Sequence, residues 1–424
     1  MTGSRSDAPH RGAALSRRRF LGWSAAAGTG MALGSTGARL AFAEPNDPAS
    51  GDTLVVVFLR GGADGLSLVA PVADGAYHDA RPTVAVPTPD VAGGGLPADD
   101  RFAFHPGFDR LYDTAWAEGH LAVVHAVGLP SSTSSTRSHF QAQDFWQRAS
   151  ADPAVRDGWA ARLLASAGVS GALPAVALQS ALPASLRGLR DAVSMNGPDS
   201  FQLEGLGDAG PAHAALRTMY AGVPEPLGGV ATRLLEVLDV VAAAQPGAIP
   251  PADGVVYPDS RLAEQLAEVG QLIRADVGLR FAAVETGGWD THDDMGSVGG
   301  GRMATQAAEL GDALAAFHAD LGPSLSEVTL VTMSEFGRTT RENGSGGTDH
   351  GRGSTMLVLG GAVNRGIYTD WPGLGDADGE RDLDVTIDYR AVLSEVVRTR
   401  FGDFDAETVF PGVAAGTPLG IVRS

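Results

Sequence analysis

The chain contains no cysteine and no lysine. Without cysteine there is no disulfide framework, so stability must come from a packed core, with or without help from a metal. Without lysine, every cationic side chain is an arginine. No apolar run beyond the first 43 residues is long enough to span a bilayer, which predicts a soluble product once that leader is removed. Positive charge is also scarce, with a formal net charge of −19. The leader holds six arginines and one aspartate, so the remaining chain carries about −24. A field of that sign excludes nucleic acid or an anionic membrane surface as a partner bound through overall charge.

The leader has a pattern of its own. Ser16-Arg17-Arg18-Arg19-Phe20-Leu21 precedes a weakly apolar Ala/Gly stretch, and Ala41-Phe42-Ala43 follows. A twin arginine, a modest apolar core and an A-x-A site predict a Tat export signal over residues 1–43, with a periplasmic or extracellular product. Tat substrates cross the membrane already folded, a route that suits a chain carrying a cofactor. The other 381 residues, with 44% hydrophobic composition over the whole chain, are ample for a large core.

Apolar runs at 54–59, 121–127, 175–178, 279–284, 328–333 and 356–359 predict buried strands. Helical composition at 139–148, 231–244, 260–275, 302–321 and 389–401 separates them. In 302–321, Leu310, Leu314, Phe317 and Leu321 fall on one face. Such alternation predicts an α/β fold with a mainly parallel sheet and helices on both faces. The less regular segment 181–254 reads as an insertion or cap on a single domain, 44–424.

The most informative stretch is 338–352, which places an Asp-His pair, three arginines and four glycines between two apolar runs. Polar loops at the carboxyl edge of a parallel sheet are where side chains converge on a ligand. Four strand ends carry such clusters: Asp64; Asp290 with His292; Glu335; and Asp349 with His350. These residue types ligate Zn, Mn, Mg or Ca according to the balance of nitrogen and oxygen donors. Each also has a plain alternative: Asp64 as a turn residue, Asp290 as a helix cap, Glu335 as a paired structural acid, Asp349 as a partner orienting His350. Ser138 and His139 open a helix after a Ser/Thr-rich loop. A hydroxyl there is placed to attack, or hold, an anion near free N–H groups, or simply to cap the helix; Thr136 and Ser135 are rival nucleophiles. Arg60, Arg137, Arg338 and Arg352 fall in the same loops and are candidate contacts for an anionic ester. His78, His105, His120, His125, His213 and His318 have no matching context. His125 reads as a core histidine and His105 as a helix-start residue.

The strings LVVVFLRGGADGLSLVAP, SRSHFQAQDFWQ, GGWDTHDD, VTMSEFGRT and GGTDHGRGSTMLVLGG resemble the bacterial domain-of-unknown-function family 1501 (DUF1501) across nearly all of the mature chain. The resemblance implies Tat-dependent export, a neighbouring exported partner of the DUF1800 type, and an alkaline-phosphatase-like, sulfatase-like three-layer α/β sandwich. In that superfamily a first-strand Asp binds metal, a Ser, Thr or modified Cys is the nucleophile, and later Asp/His motifs complete two metal sites. By resemblance Asp64 is the first-strand ligand and Asp290 with His292 the middle motif. The later Asp-His falls either at Glu335-Phe336, with His350 last, or at Asp349-His350 with no histidine downstream. Either alignment is one histidine short of a dinuclear set, which leaves a single ion, a harder ion with more oxygen ligands, or no ion. The functional expectation is a metal-dependent hydrolase of phosphate or sulfate esters, with Ser138 and His139 catalytic. The alternative is a non-catalytic binding or assembly protein on the same fold.

The leader generates a direct test. Replacing Arg17 and Arg18 by Lys should leave the protein uncleaved in the cytoplasm on fractionation, whereas normal export of the double variant would indicate an ordinary secretory signal.

Overall fold

In the computed structural model, residues 52–198, 201, 209–374, 382–413 and 417–423 are described. The expected export signal lies outside them. The run TLVVVFL is apolar at both pleat positions and forms β1 (Thr53–Leu59), buried along its whole length. Such a strand needs cover on both sides. It pairs in parallel with β5 (Phe281–Thr286) on one side and β6 (Val328–Met333) on the other.

Around it lies a nine-stranded sheet. Its remaining members are β2 (Leu121–Gly128), β3 (Ala175–Ala177), β4 (Ala192–Ser194), β9 (Ser354–Gly360), β10 (Gly366–Tyr368) and β11 (Ile387–Asp388). The spatial order is β10-β2-β9-β6-β1-β5-β3-β4, with β11 also paired to β2. Among the described strands of this sheet, β9 alone runs opposite to its neighbours. Its first residue therefore sits at the carboxyl edge of the others, where the Ser354 hydroxyl donates to the Ala63 carbonyl at 3.0 Å.

Alternate residues of β1 enter two separate cores. Val55, Val57 and Leu59 pack with α3 (Arg261–Arg274) and α4 (Arg302–Leu321), where Leu310, Leu314, Phe317 and Leu321 are buried as one face. Leu54, Val56 and Phe58 pack with α2 (His139–Arg148), the helix Trp159–Ser166 and α5 (Tyr389–Phe401). The result is the expected three-layer α/β sandwich with a mainly parallel central sheet. The irregular segment 181–254 supplies the edge strand β4 as well as the helices Ala209–Tyr220 and Leu227–Ala244, so part of it is integral to the sheet. Among the described residues no helix is long and apolar enough to cross a membrane.

The stretch 338–352 is not an open loop. It forms an antiparallel hairpin of β7 (Arg338–Glu342) and β8 (Thr348–His350), folded back on the strand ends. Gly347 is needed there, because a Cβ would lie 2.4 Å from backbone atoms of Thr291 and His292. Periodicity missed the hairpin because its residues are polar and only half buried.

Two histidines behave as core elements. His125 is fully buried, with Nε2 2.8 Å from the Val69 carbonyl, and His105 caps a 3-10 turn by accepting the Gly107 N–H at 3.0 Å. Burial pushes both down to about 4. The unfolded chain takes up these protons near pH 6.5 while the folded chain does not, so stability is full above 6.5 and falls as the pH drops toward 4. Between pH 7 and 5 the loss should be about 2 kcal/mol per histidine. His105→Asn keeps a capping side chain and should remove about one such share of the slope in urea melts at the two pH values; an unchanged slope would refute the assignment.

Candidate metal centre

The carboxyl edge of the sheet gathers three histidines and one aspartate from distant parts of the chain. His139 is the first residue of α2. Asp290 and His292 follow β5, and His350 ends β8. Each ring is tied through Nδ1 to an acceptor. His139 Nδ1 lies 2.7 Å from Glu335 Oε1, His292 Nδ1 lies 2.8 Å from Asp349 Oδ1, and His350 Nδ1 lies 2.9 Å from the Arg137 carbonyl. A carboxylate or carbonyl can only accept, so each Nδ1 carries the hydrogen and each Nε2 of a neutral ring presents a lone pair.

Those Nε2 atoms turn toward Asp290. His292 Nε2 and His350 Nε2 are 2.9 Å apart, and lie 3.1 and 3.2 Å from Asp290 Oδ1. His139 Nε2 is 3.4 Å from Asp290 Oδ2 and, though buried, has no hydrogen-bond partner among the described residues. Two lone pairs facing each other at 2.9 Å repel unless a cation or a proton lies between them. Donors around a tetrahedral ion with bonds of about 2.0–2.1 Å stand about 3.3 Å apart, close to the separations found. His139, His350 and Asp290 therefore fit a single divalent ion, with His292 close beside His350 and Asp290. Imidazoles joined by a carboxylate suit zinc and its transition-metal neighbours better than Mg or Ca.

The protonation states agree with that fit. Burial alone would raise the Asp290 carboxyl, but the hydrogen bond and charge of Arg338, helped by His350 and His292, hold it below the usual carboxylate range. The His292 hydrogen bond is the main cause holding the Asp349 carboxyl low. Burial pushes His350 down, partly offset by the Arg137 carbonyl and Asp290.

Several expected roles change. Glu335 is buried and does not face the converging nitrogens; its Oε1 accepts from His139, the Gly61 N–H at 2.9 Å and the Gln143 amide at 2.9 Å. It orients a ligand, as does Asp349. His139, expected beside Ser138 as a catalytic residue, lies between Glu335 and Asp290 among the candidate ligands. Asp64 is displaced from it: both carboxylate oxygens are taken, by Arg81 at 2.8 Å, by the Thr348 hydroxyl at 3.2 Å and by the Leu66 and Ser67 N–H groups that it caps. Arg81, a residue that no motif marked, also donates to the Thr339 and Thr340 carbonyls and so fastens the hairpin.

The arginines divide as well. Arg338 is 1% exposed and is no substrate contact. Its guanidinium donates to the carbonyls of Gly61, Gly62, Trp289 and Thr348 and to Asp290 at 2.5 Å. Arg137 is half exposed and paired with Asp382 at 2.5 Å. Arg60 bridges Glu285 and Gln143 and lines an opening of about 320 Å³ beside α2, together with Phe140, Gln179 and Arg187. Arg352 is half buried, and its guanidinium has no partner among the described residues. Ser138 is exposed at the head of α2, and its hydroxyl makes no capping hydrogen bond.

Residues 268–395 match the family model described as "Protein of unknown function (DUF1501)". The DUF1501 segment holds Asp290, His292, Glu335, Arg338, Asp349 and His350, while His139, Asp64 and Arg81 lie before it. No curated protein sequence matches the chain. Among solved structures it is similar to the PsFucS1 sulfatase from Pseudoalteromonas sp., with 13% identity and a TM-score of 0.35 over 89% of this chain and 74% of that one. It is also similar to Ps i-CgsB, at 10% identity and a TM-score of 0.34 over 88% and 76% of the two chains. Alkaline phosphatase from the Antarctic bacterium TAB5 matches at 11% identity and a TM-score of 0.26 over 75% and 95%.

The two kinds of arginine separate in a stability measurement. Arg338→Ala strands several buried carbonyls and should cost about 3 kcal/mol or more in urea unfolding, whereas Arg352→Ala should stay within about 0.5 kcal/mol. Equal effects would undo the assignment of Arg338 as the buried support.

Proposed function

We propose that this exported chain is a metal-dependent hydrolase of phosphate or sulfate esters. The observation that carries the reading is the meeting of His139, His350 and Asp290, each ring anchored through Nδ1, with the Nδ1-anchored His292 against the last two. A divalent ion held by them would act as a Lewis acid on an ester oxygen. The chain's own groups do the rest. Glu335, Asp349 and the Arg137 carbonyl hold the rings in one tautomer, and Arg338 keeps Asp290 ionised. Ser138, exposed at the head of a ten-residue helix and adjacent to His139, offers its hydroxyl to substrate where the free N–H groups attract an anion. Arg352 and Arg137 supply positive charge on the approach, within a chain whose overall field is negative. Export through the Tat route belongs to the same proposal.

A second reading has an observation in its favour. His139 has Nδ1 on Glu335 and Nε2 aimed at Asp290, so neither ring nitrogen is placed as a base for the Ser138 hydroxyl. That arrangement fits a metal-holding but non-catalytic binding protein, acting with an exported partner such as the DUF1800 type.

Metal content and turnover of p-nitrophenyl phosphate and p-nitrophenyl sulfate, measured on one set of variants, separate these readings. His350→Ala should lose metal and turnover together. Asp349→Ala removes an outer support and should weaken metal affinity by about 10–100-fold with stability little changed. Ser138→Ala should keep metal and lose turnover, and Arg352→Ala should raise KM. A metal-replete wild type that turns over neither ester nor any added phosphate or sulfate ester would leave the binding reading; full activity in His350→Ala would place the chemistry elsewhere.

A further inference from the structure

At the opposite edge of the sheet, a second group of donors meets. His120 immediately precedes β2, His318 lies in the last turn of α4, and Glu118 stands two residues before His120. His120 Nδ1 and His318 Nε2 are 3.0 Å apart, and Glu118 Oε2 is 3.7 Å from each. All three donor atoms lie within 4.8 Å of one another.

A hydrogen bond explains only part of this. Two neutral rings can share one N–H, but the carboxylate at 3.7 Å is too far to take part in it and still points at both nitrogens. His318 is only 5% exposed, so its ring is fixed in place facing the other two donors. A neutral imidazole is the form that binds a cation. Glu118 is 57% exposed at its side chain, so the group opens to solvent on one side, where an ion could enter and keep water ligands.

We infer that Glu118, His120 and His318 form a second divalent transition-metal site, of the zinc, nickel or copper class, which staples the end of α4 to the start of β2. Two imidazoles and one carboxylate favour these ions over Mg and Ca. The link closes a loop of 198 residues. An ion bound there in the folded state alone stabilises the fold by mass action. The site lies across the sheet from the candidate centre and does not depend on any activity.

The test uses the full chain carrying His350→Ala, so that the first centre is weakened, with folding confirmed by circular dichroism. Zinc titration by calorimetry should show about one equivalent remaining and a zinc-dependent rise in Tm. Adding His120→Ala, at a side chain 29% exposed, with folding checked in the same way, should abolish that equivalent and the Tm rise. Glu118→Gln should weaken binding about tenfold or more. Zinc binding that survives both changes, or a folded His350→Ala chain that binds no zinc, would overturn the inference. Loss of one of two zinc equivalents in His120→Ala on the wild-type background, with ester turnover unchanged, would support it while leaving the hydrolase reading untouched.

Discussion

The candidate centre rests on one buried guanidinium. Arg338 sets its planar guanidinium against four carbonyls and one carboxylate, with Nη2 shared among Gly61, Trp289 and Asp290. The carbonyls belong to the turn after β1, the turn after β5 and the returning strand of the hairpin. Three loops from distant parts of the chain are therefore held against one flat group with little freedom to slip. The buried charge is tolerated because it is matched by Asp290 and by the carbonyl dipoles, and leaving any of these unpaired would be expensive. Holding Asp290 ionised and holding the loops together are the same set of contacts.

Arg81 repeats the device one layer deeper. Its pairing with Asp64 has no exposed side-chain surface on either partner, and its other donors reach the hairpin carbonyls. The conspicuous Asp after the first strand is thus used to build the platform on which the ligands stand. The short distance between Asp64 and the hairpin, through the Thr348 hydroxyl, explains why strand-end reasoning put it in the same neighbourhood while its carboxylate is unavailable to an ion.

What was legible follows from where the physical signal is strong. Buried strands such as β1 and β6, and helices such as α4 and α5, show in their apolar pattern, and their bounds agree within a residue or so. Convergence of Asp290, His292, Glu335, Asp349 and His350 follows from parallel strands ending on one edge. Their division of labour does not, because a carboxylate that holds an imidazole Nδ1 and one that faces an ion have the same sequence signature. Glu335 has no exposed side-chain surface, whereas Asp290 is 45% exposed. His139 and Arg81 were hard to place for a different reason: His139 acts across 196 residues and Arg81 across 259, and neither spacing leaves a local pattern. The hairpin was hidden because its stability comes from contacts with Arg338 and Arg81, not from its own hydrophobicity.

The same reasoning separates the two histidine groups. At the carboxyl edge every imidazole has an acceptor on Nδ1, which orients the ring and fixes the tautomer before any ion arrives. At the opposite edge His318 Nδ1 is buried with no hydrogen-bond partner among the described residues, and Glu118 is mostly in solvent. Outer support raises a ligand's basicity and removes the cost of ordering the ring, so the first group should hold its ion far more tightly than the second. The difference matches the roles proposed for them. A centre meant to meet substrate needs rings that stay in place when a ligand exchanges, and its acceptors supply that rigidity. A clamp between α4 and β2 needs only that the ion prefer the folded chain, and can rely on the sheet and helix for the geometry. Affinity, more than donor identity, is therefore the property in which the two edges should differ.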